Sequence, residues 1–340
     1  MGAEQYGRIL TGDEEIVRRA YERFDAQPVD LAQVSTELGE TDRCRTTIRG
    51  TVSVSGPGTY FGKEHRTLTF EPSTTPGWWF ERTDQAEDLP IRVSVYNVWT
   101  TVRNIVLRSG SPHNYVRMAE HIIALCRGLQ VDDLLIRLDS GDPPLFDRGS
   151  LDLVEAIDKA GIVCTEQPAP LVTVAEPVTV ATPYGSFLTF LPREDELPLL
   201  DLDCAIDFPT AIGQQRIQFT LTPDVFRAGS IARTNTNAGM YVFAKTIGKL
   251  FADMRNLGYT RRNIVVAGRN RYWNEVRMMH NDKSLEAAWH RALLDLIAAV
   301  ALVEEGRFVG RILSYKAGHA LDVHMIRQLY RESLLKPVTA

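Results

Sequence analysis

The chain has 340 residues, 44% of them apolar, and carries 38 Lys and Arg against 43 Asp and Glu for a net charge of −5. That length accommodates about two domains with a sizeable core. The mixed, slightly acidic charge argues against a broad nucleic-acid-binding face, which needs clustered cations.

Residues 1–42 are charged, and EEIVRRAYERF followed by LAQVSTEL predicts two short amphipathic helices, an N-terminal helical extension that could pack on the body or mediate a dimer. The texture turns to β from Arg45, with TTIRGTVSV and RTLTFEP bracketing the turn GPGTYFG, and RVSVYNVWTTV and NIVLRS further on. An apolar helix then opens at Glu120, followed by the strand DLLIRL, a Pro-rich turn at Asp142-Pro143-Pro144 and the helix SLDLVEAIDKAG. EQPAPLVTVAEP reads as a linker, placing a boundary near Gln167 to Pro177 between a first domain over 43–168 and a second over 176–340.

The second stretch repeats that order. Strands VTVATPYGSFLTFLP, LDCAIDF and QRIQFTLT lead through Arg233-Thr234 to a helix near GMYVFAKTIGKLFADMRNLG, then the strand NIVVAG, a helix from Ser284 to Glu305, the strand RFVGRILSY and a last helix from Ala320. Strands first and helices after, twice over, predict an α+β protein of two similar two-layer sandwiches around a central cleft. No leader-like segment opens the chain and no apolar run reaches the length of a membrane span, so a cytoplasmic protein without a transmembrane segment is expected. Cys44, Cys126, Cys164 and Cys204 lie far apart with no CxxC and are expected as small core residues, neither a disulfide framework nor a thiolate zinc site.

Glu120 and His121 stand side by side at the head of the apolar stretch EHIIALCRGL. Neighbouring carboxylate and imidazole can supply a base for a metal-bound water and a ligand for the metal. The bland alternative puts the Glu in solvent and the His against the core.

Six pieces in chain order carry a resemblance: RTTIRGTVSVSGPGTYFGKEHRTLTFEP, AEHIIALCRGLQVDDLLIRLD, PPLFDRGSLDLVEAIDKAGI, IDFPTAIGQQRIQFTLTPDVFRAGSIART, the helix bearing His290, and GRILSYKAGHALD. From about Arg45 onward the chain resembles the zinc-dependent UDP-3-O-acyl-N-acetylglucosamine deacetylases. The resemblance implies a hydrolase acting on an N-acyl nucleotide sugar, in which Glu120 is the general base and His121 and His290 are zinc ligands. It further implies that His319 stabilises the oxyanion and protonates the leaving amine, and that the Thr234 hydroxyl helps hold the oxyanion. Arg233, Asn235 and Arg291 are the implied substrate contacts. Read as residues alone, His290 could cap a helix start, and His319 and Thr234 could be ordinary turn residues.

The chain departs from that family at several places. The third ligand there is an Asp four residues after the second His, about 40° around a helix, but position 294 is Leu and the aspartate is Asp295, about 140° around. A π-bulge would restore Asp295 to the metal. The competing arrangement pairs it with Arg291, four residues earlier. Asn235 replaces an aromatic, Tyr60 a histidine, and the acid that orients the catalytic histidine falls near Ala298 or Ala299. RRNIVVAGRNRYWNEVRMMHNDKS matches poorly where the family forms its acyl passage. Three readings stay open: a deacetylase of a UDP-amino sugar, a divergent relative with another amide or amine substrate, and a non-catalytic nucleotide-binding relative. His and carboxylate ligands suit zinc, with Fe2+ an alternative.

Overall fold

The computed structural model describes residues 6–39, 43–60, 64–85, 89–193, 197–250 and 258–338. In chain order its α-helices are α1 (Glu14–Ala26), α2 (Glu120–Gly128), α3 (Leu151–Ala160), α4 (Pro223–Gly229), α5 (Ala238–Lys245), α6 (Glu286–His290), α7 (Ile297–Val300) and α8 (His319–Arg331). A π-helical turn, Arg291–Leu296, joins α6 to α7. Of the helix expected from Gly239, α5 lies within the described residues and 251–257 lie outside them. No helix among the described residues is long and apolar enough to cross a membrane.

The fold is α+β. In the first half a five-stranded sheet runs in the order Val52–Pro57, His65–Pro72, Leu134–Leu138, Trp78–Arg82, Ile91–Arg92. The strand Leu134–Leu138 is antiparallel to His65–Pro72 and parallel to Trp78–Arg82. In the second half a seven-stranded sheet runs Arg8–Thr11, Val178–Ala181, Phe187–Leu191, Gly310–Tyr315, Leu200–Phe208, Gly213–Thr220, Leu31–Gln33. One continuous core links the halves, with Phe70, Ile122 and Leu125 in the same cluster as Phe190, Leu293 and Ile297. Its middle is helical: α2 of the first half packs against the π turn and α7 of the second.

Three sequence expectations need correction here. The first is the extension: α1 forms, capped by Asp13, which accepts from the Ile16 amide at 3.1 Å, but LAQVSTEL does not form a helix. Leu31–Gln33 is a strand, as is Arg8–Thr11, and the two sit at opposite edges of the seven-stranded sheet. An exposed edge offers a row of unpaired amides and carbonyls, and that pairing outweighs the helical periodicity of a short segment. The segment also adds a layer. Val17, Ala20, Tyr21 and Phe24 of α1 pack on Phe187, Leu313 and Tyr315, and Tyr21 stacks on Phe187 at 4.1 Å. Strand alternation explains how both sheet faces are covered: Leu313 and Tyr315 face α1, while Ile312 belongs to the core on the other side.

The expected linker is the second correction. Ile162–Pro168 is a strand antiparallel to Cys44–Ile48, and Leu171–Val174 is a fully buried strand between Arg307–Phe308 and Leu335–Pro337. Its apolar LVTV finds neighbours brought from far along the chain, which local composition cannot announce. The third concerns cysteine. Cys44 and Cys164 form a disulfide with Cα atoms 5.5 Å apart, while Cys126 and Cys204 are free and buried. The 120-residue separation hides a pairing created by the antiparallel strands that carry the two residues. Beside it the buried Arg307 guanidinium donates to both Asp132 oxygens at 2.9 and 2.6 Å, tying the two halves together.

Candidate active site

Side chains from both halves meet where the first turn of α2 abuts the π turn and the start of α8. Glu120 is the first residue of α2, where a negative charge suits the helix dipole. It is 2% exposed, and the Ile105 amide donates to its Oε2 at 2.9 Å. Its other oxygen lies 3.9 Å from His319 Nε2. Burial pushes the Glu120 carboxyl up to about 7, against the pull of the nearby His319 charge.

His121 follows on α2, and its ring centroid lies 5.3 Å from that of His290. Thr234, at the head of the strand Thr234–Asn237, puts its Oγ1 3.2 Å from His121 Nε2 and 3.0 Å from His290 Nε2. Both imidazoles thus turn the same nitrogen toward one oxygen. Burial lowers their pKa values, that of His121 to about 3, and keeps both rings neutral with lone pairs available. Behind His121, Ser150 Oγ donates to its backbone carbonyl at 3.1 Å.

The long helix contains the π turn, and Arg291 is not the partner of Asp295. Its hydrogen bonding widens to π over Arg291–Leu296, and Asp295 Oδ1 lies 3.5 Å from both His290 Nδ1 and His319 Nε2. Arg291 pairs elsewhere: its Nη2 donates to Asp322 Oδ1 at 2.6 Å and Ser314 Oγ at 3.2 Å. Burial pushes Asp295 up, but the nearby His319 charge, with Arg291 adding to it, outweighs that and holds the carboxylate below its usual range. For His319 burial works downward and is overcome by Asp295, Glu120 and Asp322, which favour the imidazolium.

Close packing seats these helices. A Cβ on Gly128 at the end of α2 would lie 2.1 Å from the Phe226 ring, and one on Gly229 would lie 2.1 Å from Leu293 in the π turn. Only glycine allows the helices to approach this closely.

Two expected substrate contacts face inward instead. Arg233 is 3% exposed, with Nε and Nη2 on Glu286 at 2.6 and 3.0 Å and its other bonds on the carbonyls of Arg262 and Glu275. A buried guanidinium needs a carboxylate, and Glu286 sits one helical turn before His290, so the pair fixes Thr234 relative to α6. Arg291, 5% exposed, is likewise committed to Asp322. Asn235 lines a cavity of about 260 Å³ with Tyr60, Asn104, Met118 and Tyr259. Arg103 and Met118 on that wall have φ values of 72° and 49°, backbone strain of the kind that collects at functional sites. Asp322, fully buried, went unnoticed in the sequence; the signal was an acid set between the apolar Leu321 and Val323 one turn after His319.

The donor set suits a divalent cation in kind: two neutral imidazole nitrogens facing one oxygen, and a buried carboxylate oxygen, Asp295 Oδ1, that receives no hydrogen bond among the described residues. Among the described residues no three His, Cys, Asp or Glu side chains stand grouped as a ready metal cage.

Fold and site together define a two-half α+β protein whose central groups, an acid near neutrality, paired imidazoles and a hydroxyl, are those of amide hydrolysis. The family model LpxC: UDP-3-O-acyl N-acetylglycosamine deacetylase matches residues 45–331, and the chain belongs to that family. The UDP-3-O-acyl-N-acetylglucosamine deacetylase of Leptospira biflexa is 30% identical over 83% of this chain and 88% of its own length. Those of Chlamydia felis and Bdellovibrio bacteriovorus are 29% and 27% identical, over 86% and 84% of this chain and 98% and 89% of theirs.

Proposed function

We propose that the protein is a metal-dependent amidohydrolase that removes the N-acetyl group of a UDP-3-O-acyl-N-acetylglucosamine or a closely related N-acyl nucleotide sugar. The observation that carries this reading is the convergence of Glu120 and His121 from one half with Thr234, His290, Asp295 and His319 from the other. His121, His290 and Asp295 would hold the cation, zinc or Fe2+. When bound, it supplies Lewis-acid polarisation of the acyl oxygen and acidifies water. Glu120, buried and near neutrality, takes the proton of the attacking water. The Thr234 hydroxyl donates to the oxyanion, and His319, held cationic by Asp295 and Glu120, stabilises it and protonates the departing amine nitrogen. A cytoplasmic setting goes with a nucleotide-sugar substrate, although a disulfide such as Cys44–Cys164 is uncommon there.

The test is elemental analysis of protein purified without chelators, followed by amine release from UDP-linked N-acetylglucosamine derivatives. About one zinc or iron per chain and metal-dependent release are expected. No release with any divalent metal would contradict the reading.

One observation favours a second reading in which the chemistry stays and the substrate changes. The cavity beside Thr234 sets Asn104, Asn235 and Lys245 among Met118, Met240, Tyr241, Tyr259 and Ile264, a mainly apolar lining with a few polar points that would recognise an acyl group carrying a polar substituent. Turnover of a long-chain 3-O-acyl substrate measured beside short and hydroxylated analogues decides between the two.

A further inference from the structure

We propose that Asp322, held by Arg291, is the positioning residue of His319 and does the work of the orienting acid missing at Ala298 and Ala299. The inference rests on the amidohydrolase reading, in which His319 is the acid. His319 directs Nε2 at the centre, 3.5 Å from Asp295 and 3.9 Å from Glu120. Its Nδ1 is buried and has no hydrogen-bond partner among the described residues. A buried imidazole nitrogen that carries a proton needs an acceptor if the ring is to hold one orientation.

The acceptor stands one turn on. Asp322 is 0% exposed and three residues after His319 on α8, hence on the same helix face. Its Oδ1 takes the Arg291 bond at 2.6 Å, while its Oδ2 is buried and, among the described residues, unpartnered. The orphaned donor site and the orphaned carboxylate oxygen lie one turn apart on one face with no direct bond between them, and one intervening water would satisfy both. The Asp322 amide bonds to the Gly318 carbonyl at 3.0 Å, so the first turn of α8 that carries both residues is fixed.

Arg291 links this device to the rest of the site. It is the first residue of the π turn, between His290 and Asp295. The same widened backbone that brings Asp295 to the centre therefore sends Arg291 to Asp322 and Ser314. The register of the second half and the orientation of the acid are one arrangement.

Three variants of the full-length, metal-loaded protein test this: Asp322→Ala, Asp322→Asn and the double variant Arg291→Met/Asp322→Leu. Breaking a buried ion pair on one side can unfold a protein, whereas replacing both partners by apolar residues of similar size spares the fold. The double variant is expected to keep its thermal midpoint and metal content, leave KM little changed and lose about 10–100-fold in kcat. Wild-type kcat in a folded double variant overturns the proposal. An arm independent of turnover uses metal-free protein with 15N-labelled histidine, the His319 signals assigned by their loss in His319→Gln. The His319 Nδ1 resonance is expected to move between wild type and Asp322→Asn by more than those of His121 and His290. An unmoved Nδ1 also overturns it. A wild type that hydrolyses no amide defeats the functional reading alone, because the resonance arm still reports on the Asp322 contact.

Discussion

Two helices bring their residues to the same centre in different ways. In α2, Glu120 and His121 are neighbours on a regular helix and arrive together whatever the rest of its ladder does. In the helix from Glu286 to Val300, His290 and Asp295 are five apart and share the site only because six residues between the regular turns adopt π bonding. The first half places its chemistry by residue identity, the second by backbone register. Side-chain substitutions should therefore hurt the first half through chemistry, and shifts in spacing should hurt the second through geometry.

The largest effect is expected from Glu120→Ala, which removes the proposed base without touching the register. kcat should fall by about 10²–10⁴ with the fold retained, as read by single-turnover amine release beside a thermal melt. A tenfold loss or less would place the base elsewhere.

Next comes the exchange Leu294→Asp/Asp295→Leu, which restores the four-residue spacing but leaves the chain length that produces the π turn. Metal affinity in a chelator competition should weaken about 10–100-fold. Undiminished affinity would mean that the bulge does not place the carboxylate.

The smallest effects come from Gly128→Ala and Gly229→Ala, which press on Phe226 and Leu293 respectively. Each should destabilise by about 1–3 kcal/mol in urea unfolding, the usual cost of overpacking. Only Gly229→Ala, bearing on the π turn, should also weaken metal binding. An equal loss in both would erase the contrast between the halves.

The same contrast explains what could be read from the chain. The strand-then-helix order, the amphipathic α1 and the Glu120-His121 pair are local, written in spacing and adjacency, and were legible. Asp295 was legible as a question with two answers, because composition marks it as a charge inside an apolar helix but cannot say which hydrogen bonds that helix makes. What escaped depends on partners distant in sequence. Leu31–Gln33 is a strand because Gly213–Thr220 has a free edge, LVTV is buried because Arg307–Phe308 and Leu335–Pro337 flank it, and Cys44 meets Cys164 through antiparallel pairing. Arg233 and Arg291 are substrate contacts only by the resemblance, while Glu286 and Asp322, which hold them, come from other elements.

The central claim, that His121 and His290 share one cation with Asp295 beside Glu120, is tested most directly by an anomalous difference map at the zinc edge, from crystals grown with equimolar zinc. A single peak within coordination distance of the two Nε2 atoms and the Asp295 carboxylate is predicted. A peak elsewhere, or none between the two imidazoles, would contradict it.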